Sequence, residues 1–299
     1  MTTNTKKKNL GRLFLFLTAL FWGVSFVLMK NVLGNVPPMY ILMFRFCGAA
    51  LLLLPACAPK LKRIDKSYIL GGVLMGLAIM LGYIFQTFGL RQTTPGKNAF
   101  LTSVYCVIVP FLYWAYRKKR PDKFNAASAA ICIVGIGFIS LDSDLRIGAG
   151  DALTIVCGFF LAIHMVITAR FVEGRDPVLL AMIQFATGGL LSLLGAVFFE
   201  SAPSALTSAD IWSLVFLTCV CTAGCLLMQV MGQKYTPPSQ AAVILTFESV
   251  FGALTSVILS HDVMTVRLSL GFALMFFAVF ISETKLEFLK RSKSSVAVR

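Results

Sequence analysis

The chain has 299 residues, of which 58% are hydrophobic and only 13% charged, with a formal net charge of +14. Soluble domains carry roughly 25% charged residues, so this composition excludes water as the protein's only solvent. A bilayer core about 30 Å thick needs roughly 20 apolar residues per helix at about 1.5 Å each. Hydrocarbon also leaves backbone polar groups without water, and continuous apolar runs, unlike the short alternating strands of a β-barrel, satisfy them as helices.

In chain order the apolar runs predict spans at 11–33, 38–57, 67–90, 97–116, 124–141, 151–171, 177–199, 211–232, 239–260 and 267–287. The expectation is an all-α integral membrane protein of about ten transmembrane helices. The first apolar run is too long for a signal peptide and is followed by no small-residue cleavage site, so it is read as a retained span. All eight cysteines lie in or beside spans without paired metal-type spacing, and the cluster Cys219, Cys221 and Cys225 is read as helix packing. No metal and no cofactor is expected.

The basic residues alternate between the two sides of these spans. One side collects Lys6, Lys7, Lys8 and Arg12, then Lys60, Lys62, Arg63 and Lys66, then Arg117, Lys118, Lys119, Arg120 and Lys123. Arg170, Arg175, Lys234 and the tail residues Lys285, Lys290, Arg291, Lys293 and Arg299 fall on the same side. The opposite side has Arg91, Lys97, Arg146 and Arg267, while Lys30 and Arg45 lie within spans. Positive loops stay in the cytoplasm, which places both termini inside a multi-pass inner membrane protein. The basic excess therefore reports topology, not nucleic-acid binding.

The two halves of the chain are similar. Gln86, Gly89, Arg91, Thr93, Pro95, Ala99 and Tyr105 match Gln229, Gly232, Lys234, Thr236, Pro238, Ala242 and Glu248 at one constant offset. Nearer the start of each half, Phe21 and Trp22 match Phe159 and Phe160, Pro38 matches Pro177, and Arg45 matches Gln184. Five spans is an odd number, so a second copy in sequence enters the membrane from the opposite face. The predicted organisation is a cytoplasmic tail at 1–10, a first five-helix repeat at 11–142, an inverted second repeat at 143–287 and a cytoplasmic tail at 288–299.

The same residues resemble the EamA branch of the drug/metabolite transporter superfamily. The resemblance rests on Phe21, Trp22 and Gly23 with Phe26 and Lys30, then on Pro37 and Pro38 followed by Arg45 and Phe46, and on Gln86, Gly89, Leu90 and Thr93. It continues through Gly96, Lys97, Pro110, Gly150, Asp151, Ala241, Ala242 and Glu248. Ser249 stands where family members often carry proline, so a kink there is not carried over. The resemblance implies a ten-helix carrier of small metabolites and names no substrate.

An ionisable group near the bilayer centre costs a few kcal/mol and is a functional candidate by default. Glu248 lies midway along the ninth span, where a carboxylate could bind a cationic or zwitterionic substrate or take up a coupling proton; the alternative is a structural partner for Arg45. Its repeat partner Tyr105 falls with Asn98 and Thr102 at i, i+4 and i+7, a polar stripe down the fourth span. Arg45 lies roughly 10 Å inside the second span and is read as a structural charge that ties helices together, with an anionic group of the substrate as the alternative. Lys30, one turn from a span end, is read as an anchor that snorkels to the interface.

His164 could relay protons with Glu248 or simply pack. Gln86, Gln184 and Gln229 could bridge helices or hold substrate, and Trp22, away from the interface, could wall a cavity. The expected substrate site is Trp22, Gln86, Asn98, Thr102, Tyr105, His164, Gln229 and Glu248. Pro37, Pro38, Pro110, Pro237 and Pro238 mark possible bends, and Gly72 with Gly76, or Gly135 with Gly137, would allow close helix approach.

The chain shows no Walker loop, no HExxH and no GxSxG. The function expected is a secondary-active transporter of small polar metabolites, amino acids or similar, working by alternating access with protons as a candidate coupling ion. The alternatives are a channel or metabolite sensor, with an intramembrane enzyme further behind. The expected partners are a small-molecule substrate and the lipid bilayer.

Overall fold

The computed structural model describes residues 3–118, 120, 123–141 and 146–284. The helices are α1 (Thr3–Val32), α2 (Pro38–Cys57), α3 (Lys66–Gln92), α4 (Pro95–Thr102), α5 (Tyr105–Arg117), α6 (Lys123–Ser140), α7 (Ala149–Phe171), α8 (Pro177–Phe199), α9 (Ser208–Phe216), α10 (Cys225–Gln233), α11 (Pro238–Ser260) and α12 (Val266–Thr284). A 3₁₀ turn, Ala58–Arg63, follows α2, and a π-helical segment, Leu217–Gly224, joins α9 to α10. Helix α1 reaches back to Thr3, so much of the predicted 1–10 tail is helical. Lys119, the end of the last predicted span and the 288–299 tail lie outside the described residues.

Local chemistry sets where these helices begin. Pro38, Pro95, Pro177 and Pro238 occupy first-turn positions, where the missing N–H costs no helical hydrogen bond. Pro37 and Pro237 are N-caps, so these proline pairs start helices, whereas Pro110 lies inside α5. Asp65 accepts from the amides of Ser67 and Tyr68, and Thr207 closes a capping box with Asp210. Asp176 caps α8 through the Val178 amide and pairs with Lys60 at 2.8 Å. Partial burial opposes its ionisation, but the hydrogen bonds from Lys60 and Val178 outweigh that and hold the carboxyl below its usual value.

Among the described residues, eight helical stretches are long and apolar enough to cross a membrane, and two shorter apolar segments lie in α6 and α12. The ten predicted spans are thus met by these eight stretches together with α6, of 18 residues, and α12, of 19 described residues. Large apolar side chains such as Leu51, Ile133, Phe198 and Ile258 face outward, and Arg45, Asn98, His164, Gln184 and Glu248 face inward. The protein is an all-α, multi-pass integral membrane protein.

Two spans are not continuous α-helices. The predicted 97–116 span divides at Ser103 and Val104, where the Ser103 hydroxyl bonds back to the Ala99 carbonyl and the backbone tightens to i→i+3 bonds. Tyr105 therefore opens α5, while Asn98 and Thr102 belong to α4, so the predicted stripe is interrupted although all three residues are buried. The 211–232 span contains the π segment, in which the Thr222 hydroxyl bonds to the Leu217 carbonyl.

Helix pairing follows a repeating scheme. Helix α3 packs on α7 as α10 packs on α1, α1 packs on α11 as α7 packs on α4 and α5, and α2 pairs with α8 as α6 pairs with α12. Two of the close helix approaches use glycines at positions that the comparison of the two halves aligns. A Cβ on Gly89 would lie 2.8 Å from the Gly150 carbonyl, and one on its repeat partner Gly232 would lie 2.8 Å from the Gly11 carbonyl. Gly72 and Gly76 meet α8, and Gly135 meets Gly271 and Met275 of α12, whereas a Cβ on Gly137 would meet only Leu141 among the described residues and α12 reaches this glycine through Arg267, whose Nη2 donates to its carbonyl at 3.4 Å.

A Cβ on Gly76 would lie 2.6 Å from the Thr187 Cβ and 2.9 Å from the Gln184 carbonyl, with no free space. Gly76→Leu is expected to destabilise the protein by at least ~1–3 kcal/mol through overpacking. Thermal unfolding in detergent should show a lowered midpoint, whereas Gly148→Ala, where nothing lies within 4 Å of the new Cβ, should leave it in place.

Candidate functional site

The interior polar groups gather around a small cavity lined by Trp22, Ser25 and Phe26 of α1, Tyr83 and Gln86 of α3, Leu161 of α7 and Glu248 of α11. Helical spacing puts Trp22 with Ser25, and Tyr83 with Gln86, on shared faces. The π segment fixes the indole, whose Nε1 donates to the Cys221 carbonyl at 2.8 Å. Such segments recur at functional sites because they free carbonyls from the helical ladder. Gln86 Nε2 donates to Thr102 Oγ1 at 3.3 Å, and Asn98 Nδ2 donates to Thr154 Oγ1 at 2.7 Å and to the Gln86 carbonyl at 3.4 Å, tying α3, α4 and α7 together behind the cavity.

Glu248 is 2% exposed and has no cation within ion-pair distance among the described residues. Tyr105 is its neighbour, yet neither Tyr105 Oη nor Glu248 Oε1 has an aligned hydrogen-bond partner among the described residues. A buried carboxyl oxygen without a well-aligned partner is costly, which sets Glu248 apart from the paired polar groups around it. The cavity volume is only about 20 Å³, room for a single water and too small for a metabolite. A larger groove of about 530 Å³, lined by Phe44, Leu51, Leu52, Ile211 and Val215 among others, is almost wholly apolar and holds none of the predicted site residues, so it belongs to the lipid-facing surface.

Of the predicted site residues, Trp22, Gln86 and Glu248 line the cavity and Tyr105 adjoins Glu248. Asn98 and Thr102 stand behind Gln86. His164 and Gln229 do not line it. His164 Nε2 lies 2.7 Å from Gln184 Oε1, so His164 is joined to α8 instead of to Glu248. Gln229 is buried with its Oε1 unpartnered. Ser25, Phe26, Tyr83 and Leu161 complete the lining without being among the predicted site residues; Phe26 enters the sequence reading only through the family resemblance, and the i, i+3 spacing of Tyr83 with Gln86 is the available signal for Tyr83.

The two intramembrane cations have definite partners. Arg45 is 1% exposed, donates from Nε to Thr222 Oγ1 at 2.8 Å and lies 4.7 Å from the centroid of the Tyr83 ring. Its suggested partner Glu248 is not within ion-pair distance. Lys30 does not snorkel freely: Nζ donates to the carbonyls of Leu90 and Thr93, each at 2.8 Å, and of Arg91 at 3.2 Å. It caps the C-terminus of α3, where the helix dipole favours a cation. Beside this cap, Asp151 accepts from Thr93 at 2.5 Å and pairs with Lys97 at 3.5 Å.

Apolar helices wrapped around buried polar groups and a small interior cavity define a multi-pass helical membrane protein. The chain belongs to the EamA-like transporter family, which matches it twice, over residues 9–141 and 148–284. An uncharacterized transporter of Archaeoglobus fulgidus is 33% identical over 267 residues, covering 89% of this chain and 83% of its own. The uncharacterized transporter YoaV of Bacillus subtilis is 23% identical over 271 residues, covering 88% of this chain and 93% of its own. A solved structure, described only as the crystal structure of a protein, superposes with a TM-score of 0.72 at 17% identity, over 93% of this chain and 98% of that one, and so shares the fold.

Lys30→Met leaves three carbonyls at the end of α3 without their donor and is expected to cost about 1–3 kcal/mol, the range for hydrogen bonds to a charged group. Lys30→Arg should recover much of that. Thermal unfolding of both variants checks the cap; equal midpoints for wild type and Lys30→Met would show that the ammonium serves only as an interfacial anchor.

Proposed function

We propose that the protein is a secondary-active transporter of small polar metabolites, amino acids or similar solutes, that works by alternating access around the Glu248 cavity and is coupled to protons through that residue. The observation that carries this reading is a carboxyl only 2% exposed, met by no closer polar side chain than the Tyr105 hydroxyl, with no cation beside it among the described residues and a water-sized cavity in front of it. Its charge must be met by a proton or by a cationic group of the substrate, since an isolated carboxylate in a low-dielectric interior is strongly disfavoured. At about 20 Å³ the cavity holds no metabolite, so a solute fits only when helices part, which is the behaviour of a carrier. Saturable flux distinguishes that from a channel.

Two inverted repeats, 11–142 and 143–287, suit this mechanism because exchanging the conformations of two similar halves converts one open side into the other. The matched helix pairs and the equivalent contacts Gly89 with Gly150 and Gly232 with Gly11 support the repeat. Loop charge supports cytoplasmic termini in an inner membrane. Alkaline phosphatase, active only outside the cytoplasm, is expected to be active when fused after Asp262 and inactive when fused after Val172; the reverse pattern would invert the topology.

Counterflow in proteoliposomes with amino acids, sugars and nucleosides identifies the cargo. With that cargo, Glu248→Gln keeps the side-chain shape but cannot ionise, and is expected to abolish proton-dependent transport. Normal pH-dependent transport by the variant would remove Glu248 from coupling.

A further inference from the structure

The hairpin that links α3 to α4 and the hairpin that links α10 to α11 lie at opposite ends of the bundle, and Gly89 and Thr93 of the first match Gly232 and Thr236 of the second. Each closes its end through a glycine contact, Gly89 on Gly150 of α7 and Gly232 on Gly11 of α1. On the topology proposed above, the first end faces outward and the second faces the cytoplasm. The backbone closure is alike at the two ends, but the side chains that hold it are not.

At the outer end three helices hold the hairpin. Lys30 of α1 donates to the carbonyls of Leu90, Arg91 and Thr93, while Ser256 of α11 accepts from the Gly96 amide at 3.0 Å and donates to Asp262. Asp151 of α7, only 4% exposed, takes the Thr93 hydroxyl on one oxygen and the Lys97 ammonium on the other. At the cytoplasmic end, the offset that pairs Gly150 with Gly11 puts the exposed Arg12 in place of Asp151, and the hairpin offset puts the uncharged Gln240 in place of Lys97. The Thr236 hydroxyl is buried there without a partner among the described residues, as is Gln233 Oε1. Bonds to an ionised group are roughly twice as strong as neutral ones, so opening the outer end breaks strong bonds, and hydration of Asp151 offsets only part of the loss. Opening the cytoplasmic end instead lets water reach polar atoms that closure leaves without a partner.

We infer that Asp151 is the latch of an outer gate, that the cytoplasmic gate has no equivalent, and that the protein without solute therefore keeps its α3–α4 end shut and opens first at the α10–α11 end. The inference rests on the carrier reading above and goes beyond it by naming the resting side and the residue that sets it. Asp151 is fixed on the first turn of α7, where the helix N-terminus favours a carboxylate, whereas Thr93 and Lys97 belong to the hairpin that moves. Passage to the outer side then requires both bonds of Asp151 to break.

Hydrogen–deuterium exchange of the full-length protein in lipid nanodiscs, read by mass spectrometry and corrected for intrinsic rates, compares the two hairpins directly. In the wild type, residues 233–240 are expected to exchange faster than the matched residues 90–97. Asp151→Asn keeps the shape and removes the charge. It is expected to speed exchange at 90–97 about tenfold and to slow it at 233–240, because a carrier that opens one end keeps the other shut. Equal acceleration at both ends would make Asp151 a packing residue and overturn the latch. Faster exchange at 90–97 than at 233–240 in the wild type would also overturn it, and that comparison holds even where the variant fails to fold. Arg12→Asp combined with Gln240→Lys copies the latch to the cytoplasmic end and should slow exchange at 233–240. Counterflow separates this from the carrier reading: flux with the wild-type order reversed overturns the latch alone, and absence of flux for every solute overturns the carrier and the gate with it.

Discussion

In hydrocarbon a backbone amide or carbonyl without a partner costs several kcal/mol, and the architecture of this protein follows from that constraint. Wherever the chain faces lipid it is helical. Departures from the regular ladder occur where other parts of the protein take up the freed groups. At the break between α4 and α5 the Ser103 hydroxyl serves Ala99, and in the π segment the Cys221 carbonyl is taken by the Trp22 indole. Both irregularities place side chains of the central cluster: the first sets Tyr105 at the start of α5 beside Glu248, and the second holds Trp22 and presents Thr222 to Arg45. Irregular backbone and functional chemistry coincide because both need a protein-lined interior.

Much of this was legible in the chain. The starts of α2 and α8 at Pro38 and Pro177 could be read to the residue, because proline at a first helical turn is a local signal that tertiary structure rarely overrides. The inward placement of Glu248, Gln86 and Trp22 followed from the cost of polar groups in lipid. The two helix irregularities were not legible, since each is stabilised by contacts distant in sequence, such as Trp22 with Cys221. For the same reason Lys30 looked like an interfacial anchor: the carbonyls it caps lie some sixty residues further along. His164 looked like a partner for Glu248 because both are titratable and central, yet helix rotation directs it to Gln184. Depth in the membrane is readable from position along a span, whereas azimuth depends on the neighbours.

The family assignment and the site geometry answer different questions. Similarity over nearly the whole chain identifies a transporter and its fold, but the relatives reported above carry no substrate in their names. Chemistry specific to this chain has to come from its own side chains. The distribution of buried charge is the most discriminating feature available: among the described residues Arg45 and Glu248 lack a counter-charge, whereas the buried Asp151 pairs with Lys97 and most other interior polar groups are amides and hydroxyls.

The pairing of α6 with α12 has a consequence for how the protein is made. Each has most of its interhelical contacts with the other. During synthesis at about 5–20 residues per second, α6 reaches the membrane on the order of ten seconds before α12. Over that interval α6 must persist in lipid without its main partner. The first half of the chain therefore waits on the second for its fifth span to be covered, and α12 acts as the clasp that ends this exposure.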